Sequence, residues 1–135
     1  MEPQYLLDTN ICIYIRQKRP DALLRRFEKL RPGEAAISVI TYGELLYGAE
    51  KSVHRTTALE RLQELVVLLP ALPLPELAAE KYGKVRAELE ARGEMIGNND
   101  LWIAAHALAA GLILVTSNAG EFRRVRGLKI QNWAA

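Results

Sequence analysis

A single cysteine, Cys12, is all the thiol this chain of 135 residues contains. That excludes an internal disulfide framework and any thiolate-rich zinc site. With Ile11, Ile13 and Ile15 around it, the thiol reads as buried and inert. Histidine is nearly as scarce, and His54 and His106 do not form a metal-binding pair. No apolar run reaches the length of a membrane span; the densest, Leu65 to Leu74, contains two prolines. Glu2 and Pro3 precede a run too short for a signal peptide, so a cytoplasmic protein is expected. The formal charge of +2 is too small to announce a nucleic-acid binder by itself. Neither a P-loop nor a nucleophile elbow occurs.

Aspartate is scarce too: three residues, Asp8, Asp21 and Asp100, against thirteen glutamates. Two of them stand where hydrophobic runs stop. Asp8 closes Tyr5-Leu6-Leu7 and opens Asp8-Thr9-Asn10, while Asp100 opens the run Leu101 to Leu108. A strand end and a helix start are places where side chains meet in a cleft. Asp is poor inside helices, and its short arm holds a carboxylate stiffly near the backbone. With Glu44, inside Thr41-Tyr42-Gly43-Glu44-Leu45, these acids form a set able to hold a hard divalent cation.

Along the chain, Gln4 to Leu7 reads as a short buried strand. Helical patterns follow over Ile11 to Gln17 and Pro20 to Leu30, the second with Leu23, Leu24, Phe27 and Leu30 on one stripe. Glu34 to Ser38 is a second strand, and Ser38 or Thr41 starts a helix that runs to about Lys51. His54 to Val67 and Pro75 to Ala91 are amphipathic, with Leu68 to Leu72 as a strand between them. Asn98 to Ala110 is a helix stopped by Gly111, followed by the strongest strand, Leu112 to Thr116, and a last short one, Leu128 to Gln131. Strands alternating with helices predict a parallel α/β sheet in one domain spanning 1–135.

Each acid also has a purely structural reading. Asp8 and Asn10 suit a helix N-cap, Thr41-x-x-Glu44 matches a capping box, and Asp100 suits a first helical turn. The joint pattern points elsewhere, because ligands of open parallel sheets collect outside the carboxyl ends of the strands. Asp8, Glu44, Asp100 and the polar Thr116-Ser117-Asn118 all fall at such ends or just after them. Carboxylates packed together repel unless a cation neutralises them.

Four blocks carry a family resemblance. Leu7-Asp8-Thr9-Asn10, Thr41-x-x-Glu44-Leu45-x-x-Gly48, Ile96-Gly97-Asn98-Asn99-Asp100-Leu101-x-Ile103-Ala104-Ala105-His106-Ala107 and Leu114-Val115-Thr116-Ser117-Asn118-x-x-Glu121-Phe122 resemble a PIN-domain ribonuclease. More narrowly they resemble the VapC toxins of bacterial toxin–antitoxin pairs, and the likeness runs on through Gly127-Leu128-x-x-x-Asn132-Trp133. The resemblance implies a three-layer α/β/α fold with a short central parallel sheet. It makes Asp8, Glu44 and Asp100 the catalytic, metal-binding acids, for Mg2+ or Mn2+ in its place, with Thr9, Asn10 and Thr116 as supporting polar residues. Many family members carry Asp where this chain has Asn118, which can reach a metal only through its amide oxygen or water. Glu121 is the nearby acid that would supply the missing charge.

The implied activity is hydrolysis of RNA phosphodiesters to 5′-phosphate and 3′-hydroxyl ends, with tRNA, and among tRNAs the initiator anticodon stem-loop, as a target. Arg123, Arg124 and Arg126 are RNA-binding candidates, with a solvated loop as their alternative reading. The implied partner is a VapB-type antitoxin that blocks the cleft with an arginine against the acids. A homodimer is also implied, through helices around Gly43 to Lys51 and Leu59 to Val67, with Tyr42, Leu46 and Tyr47 at the contact. Tyr42, Tyr47, Trp102 and Trp133 are expected as core or interface aromatics rather than base-stacking platforms. Asn118 motivates a rival reading, a PIN-like module that binds RNA or antitoxin without cutting. A phosphotransfer or phosphatase domain using Asp8 is a third, weakened because Asn10 is not a second Asp and no Lys follows Leu112 to Thr116.

Overall fold

The structure, a computed structural model, describes residues 2–135. Five short strands, β1 (Tyr5–Leu7), β2 (Ala35–Ser38), β3 (Ala71–Leu72), β4 (Ile113–Val115) and β5 (Ile130–Gln131), form one sheet in the order β3-β2-β1-β4-β5. All four pairings are parallel, with Leu6 opposite Ala36 on one side and Leu114 on the other. The chain winds outward from β1 through β2 to β3, then returns to the other edge of β1 for β4 and β5. The order therefore reverses between β1 and β4, which is where such sheets open a crevice at their carboxyl ends.

Seven helices connect the strands: α1 (Thr9–Arg16), α2 (Asp21–Glu28), α3 (Val39–Glu50), α4 (Arg55–Leu68), α5 (Leu77–Arg92), α6 (Asn98–Ala110) and α7 (Ala119–Phe122). They form two outer layers because neighbouring strand residues face opposite ways. Leu7 joins Ile11, Leu23, Leu45 and Leu62 on the side of α1 to α4. Leu6 and Leu114 join Leu89, Leu101, Ile103 and Phe122 on the side of α5 to α7. Fully burying one such side chain stabilises the fold by roughly 1.5–3 kcal/mol, so the two clusters hold the short strands in register. The α/β/α layering and the parallel sheet match the expectation from sequence.

Helix ends follow local chemistry, with one correction. Helix α3 is capped by Ser38, whose hydroxyl accepts the Ile40 N–H at 3.1 Å, so the Thr41-x-x-Glu44 capping box does not form. Thr41 lies inside α3 and is fully buried. Helices α5 and α6 stop at Gly93 and Gly111, both left-handed at φ 68° and 69°, a conformation glycine adopts without Cβ strain. The four-residue α7 was not foreseen, and β3 and β5 are only two residues each. No helix among the described residues is long and apolar enough to cross a membrane.

Candidate active site

Asp8 is the first residue beyond β1. Its backbone N–H donates to the Val115 carbonyl of β4 at 3.0 Å, which seats it at the point where the strand order reverses. Only 4% of the residue is exposed. One carboxylate oxygen, Oδ1, accepts the Ile11 N–H at 3.0 Å and caps α1. The structural and functional readings of Asp8 are therefore compatible, since capping occupies one oxygen. Burial pushes the Asp8 carboxyl above its ordinary value, the Thr116 hydroxyl and the Ile11 N–H draw it down, and Glu44 and Glu121 raise it further.

Glu44 arrives from α3, across 35 residues of sequence, to accept the Thr9 hydroxyl on Oε1 at 2.5 Å. The same hydroxyl lies 3.3 Å from Thr41 Oγ1. The other Glu44 oxygen accepts from Asn99 Nδ2 at 3.4 Å. Three helices, α1, α3 and α6, are thereby joined around one carboxylate.

Asp100 sits in the first turn of α6, half-buried. Burial first, then a hydrogen bond with the Glu121 carboxyl, then the charges of Glu121, Asp8 and Glu44, push its pKa up to about 7. Glu121 comes from α7. It accepts Asn118 Nδ2 on Oε2 at 2.6 Å, while Oε1 lies 3.4 Å from the Gly97 N–H. Asn118 also donates its backbone N–H to Thr116 Oγ1 at 2.9 Å, so Thr116 links the Asp8 and Glu121 sides. Asp8, Glu44, Asp100, Thr9, Thr116, Asn118 and Glu121 are thus gathered at one end of the sheet. Asn10 is exposed, and no hydrogen bond among the described residues ties it to the acids.

Among the described residues no basic side chain forms an ion pair with this group. The ion pairs among the described residues are Arg55–Glu50, Arg86–Glu90 and Arg92–Glu94, none of which includes one of these acids. Four carboxylates with hydroxyl and amide oxygens make an all-oxygen, negatively charged donor set, which suits a hard divalent cation. Cys12 offers no competing soft ligand, because burial pushes its thiol far above the ordinary range. Among the described residues no three acids are drawn together into a preformed cage. Glu44 is held by Thr9 and Asn99, and Glu121 by Asn118 and Asp100. The donor chemistry fits a hard divalent cation.

A cavity of about 350 Å³ lined by Glu44, Gly97, Asn98, Asn99 and Asp100 opens beside the acids. A separate apolar groove of about 330 Å³ lies between the ends of α2 and α4, lined by Phe27, Leu30, Val67 and Leu69, and contains none of them.

Other candidates fall into place around the cluster. Arg123, Arg124 and Arg126 are exposed, and Arg124 donates Nη1 to the Met95 carbonyl at 2.9 Å, bracing the loop before α6. His54 is the residue just before α4 and is exposed. His106 is buried with no partner for Nδ1, and burial lowers its pKa. Trp133 is a core residue, edge-on to Tyr5. Tyr42 and Leu46 pack partly into the α3–α4 side of the core, whereas Tyr47 is 66% exposed and so is no core aromatic. Sequence reading missed Asn99 as a partner of Glu44; its place beside Asp100, at a helix start, was the signal available.

Comparison with known proteins agrees with this geometry. The PIN domain family profile matches residues 5–128. Ribonuclease VapC2 of Haemophilus influenzae is 42% identical over 130 residues, covering 96% of this chain and 98% of that protein. The tRNA(fMet)-specific endonuclease VapC of Shigella flexneri is 40% identical over 131 residues, covering 97% and 98%. Among solved structures, VapBC-1 from nontypeable Haemophilus influenzae is similar with a TM-score of 0.90 at 39% identity, covering 97% of this chain and 98% of that one.

Proposed function

Since the chain belongs to the PIN-domain family, and within it to the VapC ribonucleases, we propose that it is the endoribonuclease toxin of a toxin–antitoxin pair. It cuts RNA with a divalent cation, Mg2+ or Mn2+ in its place, held by Asp8, Glu44 and Asp100. The whole chain, 1–135, acts as one PIN domain. A single observation carries the reading of the site: Asp8 and Asp100 both lie within the field of Glu44 and Glu121, and among the described residues no basic side chain forms an ion pair with any of the four.

When bound, the cation supplies positive charge at the scissile phosphate and acidifies an attacking water. Asp8 presents the carboxylate oxygen that its cap leaves free. Thr9 and Asn99 orient Glu44, and Asn118 orients Glu121 against Asp100. The water oxygen joins phosphorus, the bond to the 3′-oxygen breaks, and that oxygen departs with a proton. The Glu121 carboxyl hydrogen-bonds Asp100 and so fixes its orientation, and the proton shed by the attacking water reaches the 3′-oxygen through solvent. The products carry 5′-phosphate and 3′-hydroxyl ends. Because the acids repel a polyanion, Arg123 and Arg126 contribute the attraction for RNA at the rim.

Likeness to VapBC-1 supports a VapB-type antitoxin as partner, one whose arginine would meet the acids in place of the cation. Likeness to the tRNA(fMet)-specific endonuclease supports initiator tRNA as the target. A homodimer would use the exposed side of α3 around Tyr47.

The test is incubation of the purified protein with initiator tRNA and Mg2+, with and without chelator. Discrete, chelator-sensitive cuts with 5′-phosphate ends are expected. Asp8→Asn and Asp100→Asn should each lower cutting by about 100-fold or more with the fold intact by circular dichroism. Binding of RNA without cutting under any divalent cation would favour the non-cutting module instead.

A further inference from the structure

The chain has two tryptophans, and they are used differently. Trp133 is buried in the core. Trp102, in α6, is half-buried and stacks on Tyr82 of α5 with ring centroids 3.8 Å apart and planes 11° from parallel. The stack adjoins the acid cleft. The Tyr82 hydroxyl hydrogen-bonds Asn98 Oδ1, and Asn98 lines the cavity that Glu44 and Asp100 also line. Trp102 follows Asn98 by four residues, so the two share one face of α6. Arg86, one turn along α5 from Tyr82, donates Nη1 to the Tyr82 hydroxyl at 2.8 Å and holds its guanidinium 5.9 Å from that ring. Glu90 braces it through Nε at 3.0 Å.

We propose that Tyr82, Arg86 and Trp102 form a nucleotide subsite beside the acid cleft, which takes an unpaired RNA base on its aromatic surface and the adjoining phosphate on Arg86. This rests on the reading of the chain as a ribonuclease and names how its substrate is held. The physical need is plain. The acids repel the phosphates they must approach, so part of the grip has to come from contacts that this repulsion does not weaken. Base stacking on an aromatic ring is charge-neutral and tolerates any base, and Arg86 at the ring edge, shared with Glu90, supplies a cation for the adjoining phosphate. A base in a duplex has both faces covered, so the subsite selects single-stranded or loop nucleotides.

The test uses the full-length Asp8→Asn protein in chelator, titrated with a single-stranded RNA oligonucleotide while tryptophan emission is followed. Saturable quenching is expected, and it should vanish in Asp8→Asn/Trp102→Phe, where Trp133 alone emits. Trp102→Ala and Arg86→Ala should each weaken binding roughly tenfold, whereas Trp102→Phe retains most of the affinity. In the cutting-competent protein, kcat/KM for the same oligonucleotide should fall by a similar factor, with the loss in KM. Quenching that persists with Trp133 alone would overturn the proposal, as would an unchanged RNA affinity in Trp102→Ala or Arg86→Ala. So would a Trp102→Ala protein that changes oligomeric state by light scattering while binding RNA normally, since the stack would then be a subunit contact. Should Trp102→Ala misfold, the quenching and the exposed Arg86→Ala decide the matter. The ribonuclease reading fails separately: a wild-type protein that quenches on RNA but never cuts it keeps the subsite and loses the catalysis.

Discussion

Asn118 donates its side-chain amide to the Glu121 carboxylate at 2.6 Å, across one turn of α7. The residue that departs from the family's usual acid is therefore an anchor for another acid three positions on. That acid in turn hydrogen-bonds Asp100. On the proposed reading, Glu121 supplies the negative charge that Asn118 lacks. A neutral donor at 118 is what makes this workable, since two carboxylates there would repel each other.

Glu121→Gln keeps the shape of this link and removes its charge. Cutting should fall at least about tenfold while the melting temperature holds, as expected for a charged group that hydrogen-bonds a catalytic acid. Steady-state rates on the tRNA substrate, beside thermal melts, would check it. Wild-type rates would remove Glu121 from the site.

The cation-free protein carries strain at Asp100. Its folded pKa is raised from 3.8 to about 7, so the folded state favours the neutral acid. The sign follows: this contribution to stability is fully present below the unfolded value near 4 and is lost as pH rises through about 7. Asp100→Asn should therefore raise the melting temperature in chelator at pH 8 by a few degrees, with little effect at pH 4. Solvent screening of a half-exposed group keeps the gain small. Adding Mg2+ should stabilise wild type more than the variant. Equal melting curves at pH 8 would contradict the account.

Thr9 holds Glu44 by one hydrogen bond of 2.5 Å. Thr9→Val keeps the side-chain shape and deletes the donor, so Glu44 loses its orientation. A drop in kcat of roughly 10–100-fold is expected, by analogy with groups that orient metal ligands, with near-normal rates in Thr9→Ser. Identical behaviour of the two variants would show that the hydroxyl is not the operative group.

The three arginines near the C-terminus separate by what they touch. Arg124 is tied to the Met95 carbonyl, and Arg92 donates to the Arg124 carbonyl at 2.6 Å, so this pair braces the loop leading to Gly97 and Asp100. Arg124→Ala should lower the melting temperature and kcat while leaving the salt dependence of RNA binding almost unchanged. Arg123→Ala and Arg126→Ala should leave stability alone, weaken RNA binding, and each reduce the slope of log K against log salt by up to about one unit. Filter binding at several salt concentrations would distinguish them.

Local rules made much of this protein legible as a string of residues. Alternation and helical stripes marked the strand–helix succession, and Gly111 marked the end of α6, because those signals act between neighbours a few positions apart. Asp8 and Asp100 stood out for the same reason, each being a rare residue at the edge of an apolar run. Where two local solutions were equally good, the string did not choose between them: Ser38 and Thr41 are both competent N-caps, and the packing that buries Thr41 decided for Ser38. Strand order lay beyond local rules as well, since strands of two to four residues carry no pairing code and their register is set by the two apolar layers that close over them. The site depends most on the tertiary structure. Thr9 meets Glu44 across 35 positions, and Asn99 meets it across 55. Asp100 is raised first by its burial and then by the charges of Glu121, Asp8 and Glu44, which come from three other elements. Charge–charge coupling depends on distance and solvent in three dimensions, and neither is written in residue order.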